Sequence, residues 1–196
     1  MQNEVVRKME IFLVRHGETE WNKQGLLLGD TNIPLNENGK EIAVRSAKGM
    51  KENGLSFDVV YSSPLSRTIE TSRILVGEQE IQTDENLKEL NFGDLEGVFC
   101  RNVADCPMPP PNGESLESLQ TRMMRFLGNL LRKGYPEDSR ILIVTHGTAI
   151  RSVVAAIRRL PIDRFWETIP YSNLGTCILS VRDGKLTIVA ENVTYY

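Results

Sequence analysis

Ile11-Phe12-Leu13-Val14-Arg15-His16-Gly17 and Ile141-Leu142-Ile143-Val144-Thr145-His146-Gly147 share one local pattern: four apolar residues, one polar residue, histidine, then glycine. A short, continuous apolar run of this kind reads as a strand buried on both faces. In open α/β sheets, ligands bind beyond the carboxyl ends of such strands. The chain has two histidines, and both are placed this way. The expectation is one site built from two strand ends.

After the first strand, over residues 10–15, residues 18–36 are rich in Gly, Asn and Asp and read as a long loop over the carboxyl end of the sheet. Asn36 can cap a helix running to Glu52, with Ile42, Ala43, Ala47 and Met50 inward and Gly54 near its end. Residues 57–61 read as a short strand, and Ser62-Ser63-Pro64-Leu65 opens a second helix reaching Val76. An extended region over 81–90 ends in Lys88-Glu89-Leu90. Residues 98–113 hold four of the nine prolines, Pro107, Pro109, Pro110 and Pro111. That density excludes regular structure, and the stretch is expected to form a mobile flap.

Leu116, Leu119, Met123, Leu127 and Leu130 keep helical spacing over 114–132, so Met123 reads as core. The second histidine strand follows, then a helix over 148–159 closed by Pro161. Strands at 177–181 and 186–190 flank Asp183-Gly184, a two-residue hairpin turn. Strands alternating with helices predict an α/β fold: a three-layer α/β/α sandwich with a mostly parallel central sheet and an antiparallel edge strand.

With 196 residues, 40% hydrophobic and 25% charged, the chain is expected to be one domain over 1–196, residues 1–8 being a short N-terminal extension. A net charge of -3 offers no field for nucleic acid, and no apolar run reaches membrane-spanning length. Residues 1–8 lack the apolar core of a signal peptide, and Cys100, Cys106 and Cys177 form neither an even disulfide set nor a CxxC pair. A cytoplasmic protein is expected, with Cys100 and Cys106 as free thiols. The hairpin over 177–190 leaves an edge strand that could pair two copies into a homodimer.

Arg15 beside His16 argues against a metal, because a guanidinium next to a divalent cation is electrostatically unfavourable. A lone arginine is ordinarily a surface ion pair. Between a strand run and a histidine it reads instead as a planar fork for phosphate or carboxylate oxygens, while Gly17 lets backbone approach a ligand. A neutral imidazole can attack phosphorus if its other nitrogen is held by a hydrogen bond. A second imidazole and arginines then neutralise the equatorial oxygens. A partly buried carboxylic acid near the phosphate can protonate the leaving oxygen. No GxxxxGK[ST] loop, no Cys with Arg six positions later and no DxD pair occurs, which leaves histidine as the nucleophile.

Leu13-Val14-Arg15-His16-Gly17-Glu18-Thr19-Glu20-Trp21-Asn22 resembles the signature of the histidine phosphatase superfamily, the phosphoglycerate mutase-like proteins. Pro34-Leu35-Asn36-Glu37-Asn38-Gly39, Ser62-Ser63-Pro64-Leu65-Ser66-Arg67-Thr68, Leu87-Lys88-Glu89-Leu90-Asn91-Phe92-Gly93, Gly113-Glu114-Ser115 and Val144-Thr145-His146-Gly147 follow in the family's order. The likeness covers residues 10–182 and implies a phosphoglycerate mutase-like fold. It implies His16 as the nucleophile that becomes phosphohistidine, with Arg15, Arg67 and His146 cradling the phosphoryl group. Asn22, Gly29 and Gly147 are implied as further phosphate or substrate contacts. Glu89 is implied as the general acid that protonates the leaving alkoxide and then deprotonates water. No metal and no organic cofactor is required.

The family includes hydrolases and mutases, and the mutases carry a long insertion after the acid Glu, with a Tyr, a Lys and paired Arg. Here 56 residues, 90 to 145, separate Glu89 from His146. Phe92 stands in place of the Tyr and Cys100 in place of the Lys, and no adjacent Arg pair lies between Gly97 and Gly113. These departures favour a metal-independent, histidine acid-type phosphatase acting on a small phosphomonoester over a phosphoglycerate mutase-type phosphotransferase. A non-catalytic phosphoprotein-binding module is the third reading, and it should have lost His16, Glu89 or His146. Leu26-Leu27-Leu28 also departs from the family pattern and reads as a loop anchored by packing rather than as a wall facing substrate.

Overall fold

The computed structural model describes residues 8–196, so the extension expected over residues 1–8 lies outside the described residues except for Lys8. Eleven strands and helices follow one another as β1 (Met9–Arg15), α1 (Glu20–Gln24), α2 (Glu37–Glu52), β2 (Val59–Ser62), α3 (Ser66–Val76), β3 (Ile81–Thr83), α4 (Leu116–Arg132), β4 (Arg140–Thr145), α5 (Gly147–Arg158), β5 (Thr176–Arg182) and β6 (Lys185–Val193). They build one six-stranded sheet in the order β3-β2-β4-β1-β5-β6. β1 to β4 run parallel. β5 runs against β1, and β6 runs against β5. The expected antiparallel edge strand is therefore a hairpin whose reversed strand, β5, lies one place in from the edge formed by β6.

The twin apolar runs are neighbours. β1 and β4 pair in parallel with Ile11 opposite Ile141 and Arg15 opposite Thr145, so His16 and His146 leave the sheet at the same level. Both strands are covered on two faces, which is why their apolar residues do not alternate with polar ones. Ile11, Leu13, Ile141 and Ile143 point to a core shared with Leu119, Met123 and Leu127 of α4 and Ile150 and Val153 of α5. Phe12, Val14, Leu142 and Val144 point to the opposite core, with Ala43 and Met50 of α2. Each of these buried side chains larger than Ala43 contributes on the order of 1.5–3 kcal/mol of burial free energy before ordering entropy is subtracted.

The long loop over 18–36 contains α1, a five-residue helix held by a reciprocal capping box between Thr19 and Asn22. The second helix starts at Ser66, because Ser62 ends β2 and Pro64 follows. The region 81–90 is a strand only over Ile81–Thr83; Glu85–Leu87 is a 3-10 turn that aims Glu89 at the sheet's carboxyl edge. The Pro-rich segment carries one 3-10 turn, Val103–Asp105, where none was expected. Asp183 and Gly184 both take positive φ, as the tight hairpin requires. Among the described residues, no helix is long and apolar enough to cross a membrane.

Candidate active site

His16 and His146 are buried at the carboxyl ends of β1 and β4, with ring centroids 5.2 Å apart. His16 Nδ1 lies 2.7 Å from the Gly17 carbonyl oxygen. A carbonyl only accepts, so Nδ1 carries the proton and Nε2 keeps its lone pair. Burial, followed by the charges of Arg67 and Arg15, holds the His16 pKa well below the usual histidine range. The same burial, with Arg67 and His16 adding to it, does this for His146. Both rings are neutral at neutral pH.

His146 uses the other nitrogen for support. Its Nε2 lies 2.9 Å from Ser63 Oγ, which also receives the Leu65 N–H at 3.4 Å. The serine hydroxyl can donate to Nε2, and in that arrangement the imidazole proton lies on Nδ1. That Nδ1 is buried and has no partner.

Arg15 ends β1 and donates Nη1 to the Tyr171 carbonyl at 2.6 Å. Arg67, in the first turn of α3, is fully buried rather than on a helix surface. It donates Nη1 to Thr31 O at 2.8 Å and Nη2 to Gly29 O at 2.7 Å. In both residues Nε is left unpaired. Burial lowers both guanidinium pKa values, that of Arg67 to about 10, while the charge of Glu89 opposes the shift. Among the described residues five buried side-chain nitrogen or oxygen atoms lack a hydrogen-bond partner; three are Arg15 Nε, Arg67 Nε and His146 Nδ1. An unpaired buried donor costs about 1–3 kcal/mol, so the two arginine Nε–H groups make that region ready for an anion, joined by His146 Nδ1 in the tautomer that accepts from Ser63.

Glu89 faces the start of α5. Its Oε1 accepts from Leu90 N at 2.9 Å and Ala149 N at 3.0 Å, and its Oε2 accepts from Thr148 N at 3.0 Å. The backbone behind it is held as firmly. Arg122 of α4 donates to the carbonyls of Asn86, Lys88 and Glu89, each at 2.7 Å, and is itself paired with Glu114. Thr145 Oγ1 donates to Leu87 O at 2.7 Å, tying the same turn to the end of β4.

These groups surround a cavity of about 240 Å³. Arg15, His16, Asn22, Gly29, Arg67, Glu89 and Gly147 all line it, whereas His146 lies fully buried beside the His16 ring and is not in the lining. Asn22 Oδ1 is engaged by Thr19 N at 3.2 Å and Asn173 Nδ2 at 3.4 Å. Gly29, at positive φ, offers its carbonyl to Arg67. Gly17 also serves the packing of the fold: a Cβ there would stand 2.8 Å from Gly39 O, so the glycine lets this turn approach the backbone of α2. Leu26, Leu27 and Leu28 line the cavity and are also half-buried or buried, so they serve both as wall and as anchor.

Sequence reasoning missed Arg151, Ser63, Arg122 and Glu96. Arg151 lines the cavity from α5, donating Nε to Thr168 Oγ1 and Nη2 to the Trp166 and Thr168 carbonyls, with its guanidinium 4.6 Å from the Trp166 ring. Its one sequence signal was its position one helical turn after Thr148. Glu96 accepts from Asp30 N and Thr31 N, each at 2.9 Å, and so fixes the loop carbonyls that Arg67 uses. Ser63 and Arg122 act through partners far along the chain, for which spacing gives no signal.

Residues 11–194 match the model of the histidine phosphatase superfamily (branch 1). A 2,3-bisphosphoglycerate-dependent phosphoglycerate mutase of Parvibaculum lavamentivorans is 34% identical over 168 residues, covering 76% of this chain and 80% of that protein. Phosphoglycerate mutase-like protein 4 of Arabidopsis thaliana is 36% identical over 175 residues, covering 80% and 74%. A phosphoserine phosphatase from Entamoeba histolytica, solved with 3-phosphoglyceric acid, has the same fold with a TM-score of 0.82 at 29% identity, over 95% of this chain and 98% of that one. With the six-stranded sheet, the paired histidines and a family match over nearly its whole length, the chain belongs to the histidine phosphatase superfamily.

Proposed function

We propose that the protein is a phosphomonoester hydrolase acting through a phosphohistidine intermediate on a small phosphorylated metabolite. His16 Nε2 attacks phosphorus, and the bond from phosphorus to the ester oxygen breaks. Arg15 Nε, Arg67 Nε and His146 Nδ1 donate to the equatorial oxygens as charge builds on them. Glu89 hands a proton to the leaving alkoxide, then takes one from the water that attacks the phosphohistidine. The products are an alcohol and inorganic phosphate, and the positive charge comes from side chains alone. The observation that carries this reading is the set of three buried, unpaired nitrogens beside a neutral histidine whose Nδ1 is already held.

Hydrolysis is favoured over mutase chemistry by the groups that lie beyond the cradle. A mutase must hold a second anionic group of its substrate, and beyond Arg15 and Arg67 the cation in the cavity lining is Arg151. Two of its nitrogens already serve Thr168 and Trp166. Leu26, Leu28, Phe92 and Val103 make another part of the wall apolar. The mutase names among the sequence relatives keep phosphoryl transfer as the competing reading. The deciding experiment measures phosphate release from a panel of monoesters together with transfer between the two positions of phosphoglycerate. Hydrolysis that disappears in His16→Ala supports the proposal. Efficient transfer with little release, or p-nitrophenyl phosphate hydrolysis that survives His16→Ala, overturns it.

A further inference from the structure

Cys100 and Cys106 sit six residues apart in the Pro-rich segment, with their sulfurs 2.8 Å from each other. Both are half-buried free thiols. A disulfide holds its sulfurs about 2.05 Å apart, so a movement of roughly 0.8 Å joins them. The 3-10 turn Val103–Asp105 brings the second sulfur back to the first. Nothing in the catalytic proposal uses this pair.

The location gives the pair significance. Cys100 and Val103 are part of the cavity wall. The Cys100 N–H donates to Gly25 O at 2.9 Å, and its neighbour Phe99 pairs with Leu26, so the segment is stitched to the loop carrying Leu26 and Gly29. Cys106 also lines a separate cleft with Met108 and Trp166. Burial and the adjacent sulfur push the Cys106 thiol up to about 12, and Cys100, in the cavity wall, is the sulfur that an oxidant entering the cavity meets first.

We propose that Cys100 and Cys106 are a reversible oxidation site in the wall of the active-site cavity, closing to an intramolecular disulfide on exposure to a small-molecule disulfide oxidant. The Cys100 thiolate attacks one sulfur of the oxidant, breaking its S–S bond and releasing one thiol. Cys106 sulfur, giving up its proton, then attacks Cys100 sulfur and displaces the second thiol. Two protein thiols are oxidised, one external disulfide is reduced, and the two protons leave on the released thiols. Disulfides of this kind in a reducing compartment are transient and responsive rather than structural.

The test incubates the folded chain with oxidised glutathione, quenches it in acid and reads the intact mass, independently of any catalytic activity. Loss of two hydrogens, a Cys100–Cys106 cross-linked peptide and full reversal by dithiothreitol are expected. Cys106→Ser, in which the resolving sulfur is absent, is expected to stop at the glutathione adduct on Cys100. A stable glutathione adduct on the unsubstituted chain, a cross-link through Cys177, or two unmodified thiols under conditions that oxidise a peptide spanning residues 98–108 would each overturn the proposal. Failure of the hydrolase reading would leave these masses unchanged.

Discussion

Lowering the pH from 7.5 to 5.5 is expected to remove up to about 3 kcal/mol of folding stability through the two histidines alone. Each has its folded pKa held well below 6.5, first by burial and then by neighbouring positive charge. In the unfolded chain each titrates near 6.5. Below that pH the unfolded state binds protons that the folded state refuses, so stability rises with pH and falls as pH drops through the unfolded value. Each histidine accounts for about half of the loss between pH 7.5 and 5.5. Asp30 works in the opposite direction: its carboxyl pKa is raised by burial, so protonating it at lower pH favours the folded form. The cleanest window therefore lies just below pH 6.5, above the range where carboxylates dominate.

Urea unfolding followed by tryptophan fluorescence, at constant ionic strength in buffers free of phosphate, reads this directly. Phosphate must be absent, since an anion in the cradle would stabilise the fold by mass action. His16→Asn and His146→Asn are each expected to halve the pH dependence, because asparagine does not titrate there. Equal unfolding free energies at pH 7.5 and 5.5, or variants that keep the whole slope, would refute the claim that both rings are buried and neutral.

Glu89→Gln is expected to lower kcat/KM, which reads the first phosphoryl transfer and not the later attack of water, by on the order of 10²–10⁴ on alkyl phosphates, and by much less on p-nitrophenyl phosphate, whose leaving group departs without a proton. Equal losses on both substrates would remove Glu89 from the proton-donor role. Gly39→Ala places a Cβ 2.1 Å from Glu18 O, a backbone atom just behind the His16–Gly17 turn. A loss of about 1–3 kcal/mol in urea unfolding is expected, and a variant as stable as the parent would show that this contact is slack.

The parts of the fold legible in the sequence are those in which burial leaves a pattern in neighbouring residues. β1 and β4 are apolar without interruption because helices cover both faces of the sheet, and α4 shows its stripe because one face alone is covered. The Asp183-Gly184 hairpin is legible because its backbone demands positive φ. α1 escapes notice because it buries no residue and is held by its cap. Arg67 and Glu89 are assigned through resemblance. Spacing carries no trace of them, because their position depends on the order of strands in the sheet and on a 3-10 turn clamped by Arg122 from another helix.

The two histidines show how far identical local sequence can go. Equal register across β1 and β4 brings both rings to the same edge, in keeping with the matching runs. The segment after each strand then separates them. His16 leads into a loop and turns Nδ1 onto the carbonyl of its own neighbour, leaving Nε2 with a lone pair. His146 stands as the N-cap of α5 in extended conformation, and its Nε2 meets Ser63 from the turn after β2, leaving Nδ1–H unpaired. With the Ser63 proton on His146 Nε2, one ring keeps a free base nitrogen and the other a free donor. Ser63→Ala tests this division: with its hydroxyl gone, the His146 proton is no longer directed to Nδ1. Phosphate binding, read by isothermal titration calorimetry, should weaken while His16 keeps its hydrogen bond to Gly17, and an unchanged affinity would show that Ser63 does not set the tautomer.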